Sequence, residues 1–441
     1  MYSRILLAAC VACLSTPLFS SPNWPAFRGA DARGVSDAKG LPDTWDTKTN
    51  VKWVIPVAGR SWSSPIVWGN KVFMTNVVNS GKDHLPKKGL YFGGNTKDPI
   101  PFEHRWQVIA YDLKSGKELW KREVAKAKPT KPIHVKNTYA SETPVADKDC
   151  VIAYFGNAGI VAYDHDGKLL WKKEVPQYRM RYGWGTAASP VLDGDRLYVI
   201  NDNESDSWLA AYDKRTGKEV WKQNRKEKSN WSTPFVWKTE KRTEIITPGT
   251  QKVRSYGLDG KLLWELKGMS SITIATPFTA HGLLYVTSGY VGDRHRPIYA
   301  IKPGASGDIS LKDKESSNSS IEWYLPKAAP YNPTTVVYGD YLYTLLDFGF
   351  FACYEAKTGK TAYGKTRLGV GMGFTASPWA YDGKIFCLNE NGETLVIKAG
   401  PKYELIRKNS LDEMCMATPA IAGKNLLIRT LTKLYCISAE K

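Results

Sequence analysis

Six histidines and, beyond the first twenty residues, five cysteines are all the soft metal ligands this 441-residue chain holds. Cys150, Cys353, Cys387, Cys415 and Cys436 are scattered, with no C-x-x-C and no zinc spacing among them. They read as buried strand residues, and their odd number leaves at least one thiol free. The patterns G-x-S-x-G, H-E-x-x-H and the phosphate-cradling P-loop are all missing, which removes the enzyme classes those patterns mark. Long apolar runs are missing too. The longest, Ile5 to Leu14, is ten residues, too short to span a bilayer as a helix. With Arg4 before it and small residues around Ser20 and Ser21, it reads as a secretory signal over residues 1–21, removed on export. Leu7-Ala8-Ala9-Cys10 also fits a lipoprotein cleavage box, so lipidation at Cys10 stands as the alternative. The expected location is periplasmic or extracellular.

What the chain has in quantity is basic charge and aromatic residues. Net charge is +18, with 16 Trp and 24 Tyr. For an exported protein that balance favours acidic partners such as an anionic polysaccharide, or else reflects a generally basic solvated surface. Export leaves no role for nucleic acid.

One stretch recurs. Tyr111-Asp112-Leu113-Lys114-Ser115-Gly116-Lys117-Glu118-Leu119-Trp120 returns as Tyr163-Asp164 with Gly167 and Trp171, as Tyr212-Asp213 with Gly217 and Trp221, and as Tyr256 with Gly260 and Trp264. Each copy is a strand end, a turn in which Gly supplies the positive φ, and a strand ending in a Trp large enough to anchor a neighbouring unit. A second element sets the count. A small or hydroxyl residue precedes a proline, a strand follows, and a Gly, Asp or Asn turn leads to another strand. The prolines are Pro65, Pro144, Pro190, Pro234, Pro277, Pro333, Pro378 and Pro419. A repeat of about 44 residues holding four short strands is one propeller blade, and eight prolines make eight blades.

The predicted fold is all-β: an eight-bladed β-propeller of four-stranded antiparallel blades over residues 51–441, preceded by an extended arm over 22–50 pinned by Trp24, Phe27 and Trp45. Insertions fall at Asn79–Trp106 and at the polar Pro303–Ser320, the second expected to be mobile. The last unit lacks a fourth strand, and the segment around Trp53 is left over. Pairing the two closes the ring and hides its edges.

The repeat Y-D-x-x-(S/T)-G-K-x-x-W, as at 111–120 and 212–221, resembles the pyrroloquinoline-quinone (PQQ) enzyme repeat. Eight copies resemble the quinoprotein propellers, and also the propeller lipoprotein of the outer-membrane β-barrel assembly machinery. With Trp24-Pro25, Arg28-Gly29, Trp62-Ser63-Ser64-Pro65 and Pro132-Ile133-His134, the chain looks most like exported, PQQ-binding-like propeller proteins of bacteria. The resemblance implies that strand-end tryptophans dock on the next blade, here Trp120, Trp171, Trp221, Trp264 and Trp323, with Trp53 in the closing strand. Blade six carries Tyr363 there, and blade seven no aromatic.

A repeat is scaffold, and function lies in a site. Quinoprotein dehydrogenases of this fold typically add adjacent cysteines, a Ca²⁺ site or a C-x-x-C-H haem attachment, and none of these sequences occurs here. Asp202-Asn203-Glu204-Ser205-Asp206 has oxygens for Ca²⁺ but no EF-hand framework, and reads as a solvated loop; Asp164-His165-Asp166-Gly167 reads as a turn. No catalytic residues are identified. The remaining candidates lie just before each blade's innermost strand, where the funnel opens: Trp62, Tyr139, Trp184, Trp231, Tyr331, Phe374 and Met416, with basic residues His134, Lys136, Arg179 and Arg181 close by. Aromatic rings beside cations suit an anionic ligand. The expectation is a monomeric, non-catalytic exported propeller, with no metal and no cofactor, that binds an envelope protein or acidic polysaccharide at this face. The alternatives are a PQQ-dependent dehydrogenase and a subunit for outer-membrane β-barrel assembly.

Overall fold

The computed structural model describes residues 23–81, 85–91, 95–369, 371 and 373–440; the expected signal segment lies outside them. Eight sheets of antiparallel strands follow one another around a ring. Blade 1 is Ile66–Trp68, Lys71–Asn79, His104–Asp112 and Glu118–Ala127. Blades 2 to 7 begin at Val145, Val191, Phe235, Phe278, Val336 and Trp379. Blade 8 takes three strands from Ala420–Ala422, Asn425–Arg429 and Lys433–Ile437, and its fourth from Val51–Pro56, which pairs antiparallel with Lys433–Ile437. The ring therefore closes across the two ends of the chain.

The recurring turn explains how blades adhere. A register shift before each turn sets the Trp opposite a small residue: Ala110 faces Trp120, Ala162 faces Trp171, Ala211 faces Trp221 and Ala300 faces Trp323. The indole then lies on the turn glycine of the following blade. A Cβ on Gly167 would sit 2.7 Å from Trp120, one on Gly217 2.6 Å from Trp171, and one on Gly359 2.9 Å from Trp323. Each Nε1–H donates into the same turn, from Trp120 to His165 O, from Trp171 to Lys214 O and from Trp323 to Ala356 O. Glycine is required twice over, for its φ of 68° to 81° at those positions and for the absent side chain. Trp264 departs from the pattern. Glu244, buried in its own blade, accepts the indole N–H at 2.6 Å and turns it inward.

Two insertions behave differently from their composition. Pro303–Ser320 is no loose loop, because Gly307–Asp308 adds a parallel fifth strand to blade 4, where Trp264 and Glu265 offer an open edge. In blade 1, Thr96–Lys97 pairs with Ile133–His134, tying that insertion to the loop entering blade 2. The arm is extended and strapped across one end of the ring. Trp24 pairs with Val67 of blade 1, Pro25 O accepts Ala146 N–H of blade 2, and Val35 bridges to Ala380 of blade 7. Between these anchors Phe27 lies against the central channel. No helix among the described residues is long and apolar enough to cross a membrane.

Candidate functional site

The strap blocks one end of the channel and leaves a chamber of about 220 Å³ open toward the other. Phe27 forms its floor. The residue two positions before each innermost strand is a hydroxyl in all eight blades, Ser64, Thr143, Ser189, Thr233, Thr276, Thr334, Ser377 and Thr418, and all of these but Ser64 line the chamber. In most of the ring, the backbone N–H of one blade donates to the hydroxyl of the next, at 2.9–3.0 Å. At the mouth stand Trp62, His134, Lys136, Trp184, Trp231, Tyr331 and Met416, with Leu90 and Tyr91 of the blade 1 insertion beside them.

These mouth side chains are held firmly. Trp62 Nε1 donates to Lys136 O at 2.6 Å and Trp231 Nε1 to Gly185 O at 2.7 Å. Trp184 and Trp231 lie 5.6 Å apart, tilted by 43°. Tyr331 is positioned by Asp347, which accepts its N–H at 2.7 Å and that of Asn332 at 2.8 Å. Trp184 Nε1, buried and lining the chamber, has no partner.

The cations that the sequence gathers at the mouth do not act together there. Lys136 reaches across the ring to the buried Glu390 of blade 7, 2.5 Å away, and to Thr375 at 2.7 Å. The second Glu390 oxygen accepts Gly89 N–H, which binds the insertion to the same pair. Arg181 turns outward to Glu204, 3.5 Å away, and to Ser271 O. Arg179 lines a separate groove with Lys131, Tyr178 and Tyr182. Tyr139 also falls outside the chamber, its hydroxyl bound to Lys131 O, and Phe374 is 1% exposed in the core between blades 6 and 7. Asp202 is likewise neither solvated nor a calcium ligand, since it forms a buried pair with Arg225 at 2.8 Å. The belt hydroxyls went unnoticed in the sequence although the signal was present, as the small or hydroxyl residue before each proline.

Substituting Lys136 by Met should cost about 3 kcal/mol, because a buried carboxylate loses its counter-charge. The double variant Lys136→Met/Glu390→Gln should recover most of that loss in urea unfolding. His134 stacks edge-on against Trp184 at 5.2 Å, and its Nδ1 accepts Lys136 N–H. Burial, with Lys136 and Lys97 nearby, pulls its pKa from 6.5 down to about 4. The folded state therefore disfavours the imidazolium. The linked stability is fully present above pH 6.5 and is lost as pH falls from there toward 4. The variant His134→Gln should flatten this part of a pH–stability profile.

A bound PQQ would present three carboxylates on a flat ring system. Among the described residues, the one lysine or arginine that lines the chamber is already neutralised by Glu390, and no cluster of three or more His, Cys, Asp or Glu able to hold a metal occurs. The residues present do not fit that group with its usual calcium partner.

No curated protein matches the chain. Among solved structures it is similar to BamB from Moraxella catarrhalis, with 10% identity, 87% of this chain and 98% of that one covered, and a TM-score of 0.60. It is also similar to the quinohemoprotein alcohol dehydrogenase ADHIIG from Pseudomonas putida HK5, with 10% identity, coverage of 94% and 80%, and a TM-score of 0.57. At such identity the likeness is one of fold. The sequence profile of the PQQ-type repeat family described as outer membrane protein assembly factor BamB matches residues 44–205 and, overlapping, 105–290, and the chain belongs to that family.

Proposed function

We propose that the protein is a non-catalytic binding propeller of the cell envelope whose chamber receives an uncharged sugar unit of an envelope glycan. The observation that carries this reading is the chamber's composition. Aromatic faces stand above a wall of hydroxyls, and the lysine at the mouth is matched by Glu390. Tryptophan faces take the apolar C–H faces of sugars, while hydroxyls satisfy their oxygens. An anion entering the same space would meet no uncompensated cation. The envelope location rests on the expected signal segment and on membership of a family described as outer membrane protein assembly factors.

The test is retention of the purified protein on neutral and acidic envelope polysaccharides at low and high salt. Retention on neutral glycan that ignores salt, and falls in Trp184→Ala, supports the proposal. Salt-sensitive retention on acidic polymer alone would replace it by surface electrostatics. Dye-linked alcohol oxidation after adding PQQ and Ca²⁺ would restore the dehydrogenase. Co-purification with an outer-membrane barrel, without glycan binding, would favour an assembly role.

A further inference from the structure

Beside the chamber lies a larger hollow of about 410 Å³, set between the segment entering blade 2 and the segment entering blade 3. The two spaces share a wall: Ile133 and Gly185 line the hollow, while the adjoining His134 and Trp184 line the chamber. The segments meet along that wall. His134 N–H donates to Trp184 O at 3.1 Å, and a Cβ on Gly183 or Gly185 would strike Pro132 or Ile133 at 2.6–2.8 Å. They meet again earlier in both segments, where the Thr130 hydroxyl donates to Gln177 Oε1 at 2.6 Å. The volume lies within the range of small-molecule sites, about 300–1,000 Å³.

The uncharged polar groups around this hollow satisfy one another. Gln177 accepts from Thr130 and gives its amide to Asn157 O at 3.0 Å, and the Tyr139 hydroxyl donates to Lys131 O at 2.7 Å. Two cations are left over, one on each segment. Lys131 and Arg179 are exposed, and neither side chain has a hydrogen bond or a carboxylate partner among the described residues. Two tyrosines, Tyr178 and Tyr182, line the hollow with them. Tyr182 is 50% exposed and held at φ 53°, a backbone conformation that is strained for tyrosine and free for glycine. Burial of a ring half in water does little to offset that strain, so the ring stands where a ligand would use it.

We infer that the hollow is a second, anion-selective site that takes a uronic-acid unit of an acidic glycan, its carboxylate between Arg179 and Lys131 and its ring against the tyrosines. The inference goes beyond the chamber's neutral-sugar reading and does not depend on it. A guanidinium fork gives a carboxylate two parallel N–H bonds, and the lysine on the facing segment adds a second charge. A small inorganic anion would use the cations and leave the rings idle, whereas a neutral sugar would leave the cations idle. A uronate has both the charge and an apolar C–H face. The lysine at the chamber mouth is neutralised by Glu390; these two cations are not.

The test is isothermal titration with methyl β-glucuronide, with methyl β-glucoside and acetate as comparisons. Arg179→Gln, Lys131→Gln and Tyr182→Gly should leave the melting temperature unchanged, since the two cations bond nothing in the protein and glycine suits the backbone at 182. Lys357→Gln removes an equal charge from an exposed turn of blade 6 and serves as control. Glucuronide binding should fall about tenfold in Arg179→Gln and weaken in Lys131→Gln and Tyr182→Gly, while Lys357→Gln binds as the wild type does. Equal losses in Lys357→Gln would reduce the effect to the general basic field and overturn the site. Acetate binding as tightly as the glucuronide would overturn the uronate as its ligand. Competition by the glucoside would put both sugars in one space and overturn a separate site. A wild type that binds no glucuronide would also overturn it, and would leave the chamber proposal standing.

Discussion

Replacing Arg28 by Ala should cost about 3–5 kcal/mol and free the whole arm from the ring. The guanidinium is 1% exposed and gives its protons to four backbone carbonyls: Ala32 at 2.9 Å, Arg33 at 2.8 Å, Thr335 at 3.0 Å and Pro378 at 3.0 Å. The first two fold the arm into a tight loop, and the last two belong to blades 6 and 7. One planar fork thus ties the strap to the far side of the channel from Trp24. Burial pulls its pKa down to about 9, still well above neutrality, so the group is charged when it does this. Truncation leaves four buried carbonyls without donors and a hollow where the side chain lay. Arg28→Lys should recover little, since an ammonium offers its protons from one point and cannot reach two blades and the loop together. The readouts are the urea midpoint and the rate of proteolysis within residues 23–50. An arm that stays protected in Arg28→Ala would show that Trp24 and Trp45 suffice to hold it.

The ring itself was legible because every part of its evidence is local. Turn glycine, strand-end tryptophan and strand-start proline recur at a fixed period, and the unpaired first strand matches the gap in the last blade. What reaches across the ring was not legible. Lys136 meets Glu390 over a separation of 254 residues, and no spacing rule foretells that a lysine placed beside aromatic residues will be neutralised from the opposite side. The arm could be read as extended and aromatic-pinned, but its path over the channel depends on Arg28 finding carbonyls in blades 6 and 7. Trp264 matched its repeat and still behaves differently, because Glu244 is drawn from another strand of the same blade. The hydroxyl before each proline was visible, yet only the closed ring shows that six of them accept a backbone N–H from the neighbouring blade.

The second large effect is at the seam where the chain's ends meet. Trp53→Ala should cost about 4 kcal/mol, the scale of deleting a buried indole. Trp53 is 9% exposed, donates to Leu113 O at 2.9 Å and lies on Gly116, where a Cβ would come within 2.9 Å. Trp221 makes the same contacts, with Leu258 O at 2.8 Å and Gly260, but is partly exposed. Trp221→Ala should therefore cost less, about 3 kcal/mol, on area alone. The seam adds to the difference. Between blades 8 and 1 the hydroxyl belt is broken, since Ser64 Oγ accepts nothing from Thr418. Besides Trp53, the buried Arg429 spans the seam, donating to Thr75 O at 3.1 Å and to Asn76 Oδ1 at 3.2 Å. Two weakened contacts on one interface are coupled, so Trp53→Ala with Arg429→Met should lose more than the two single variants added. Once Val51–Pro56 detaches, the edge of Lys433–Ile437 is bare and able to pair with another molecule. The double variant should therefore aggregate during unfolding, whereas Trp221→Ala should refold. Equal losses for Trp53→Ala and Trp221→Ala, with strict additivity at the seam, would mean that the ring is no weaker where it closes than anywhere else.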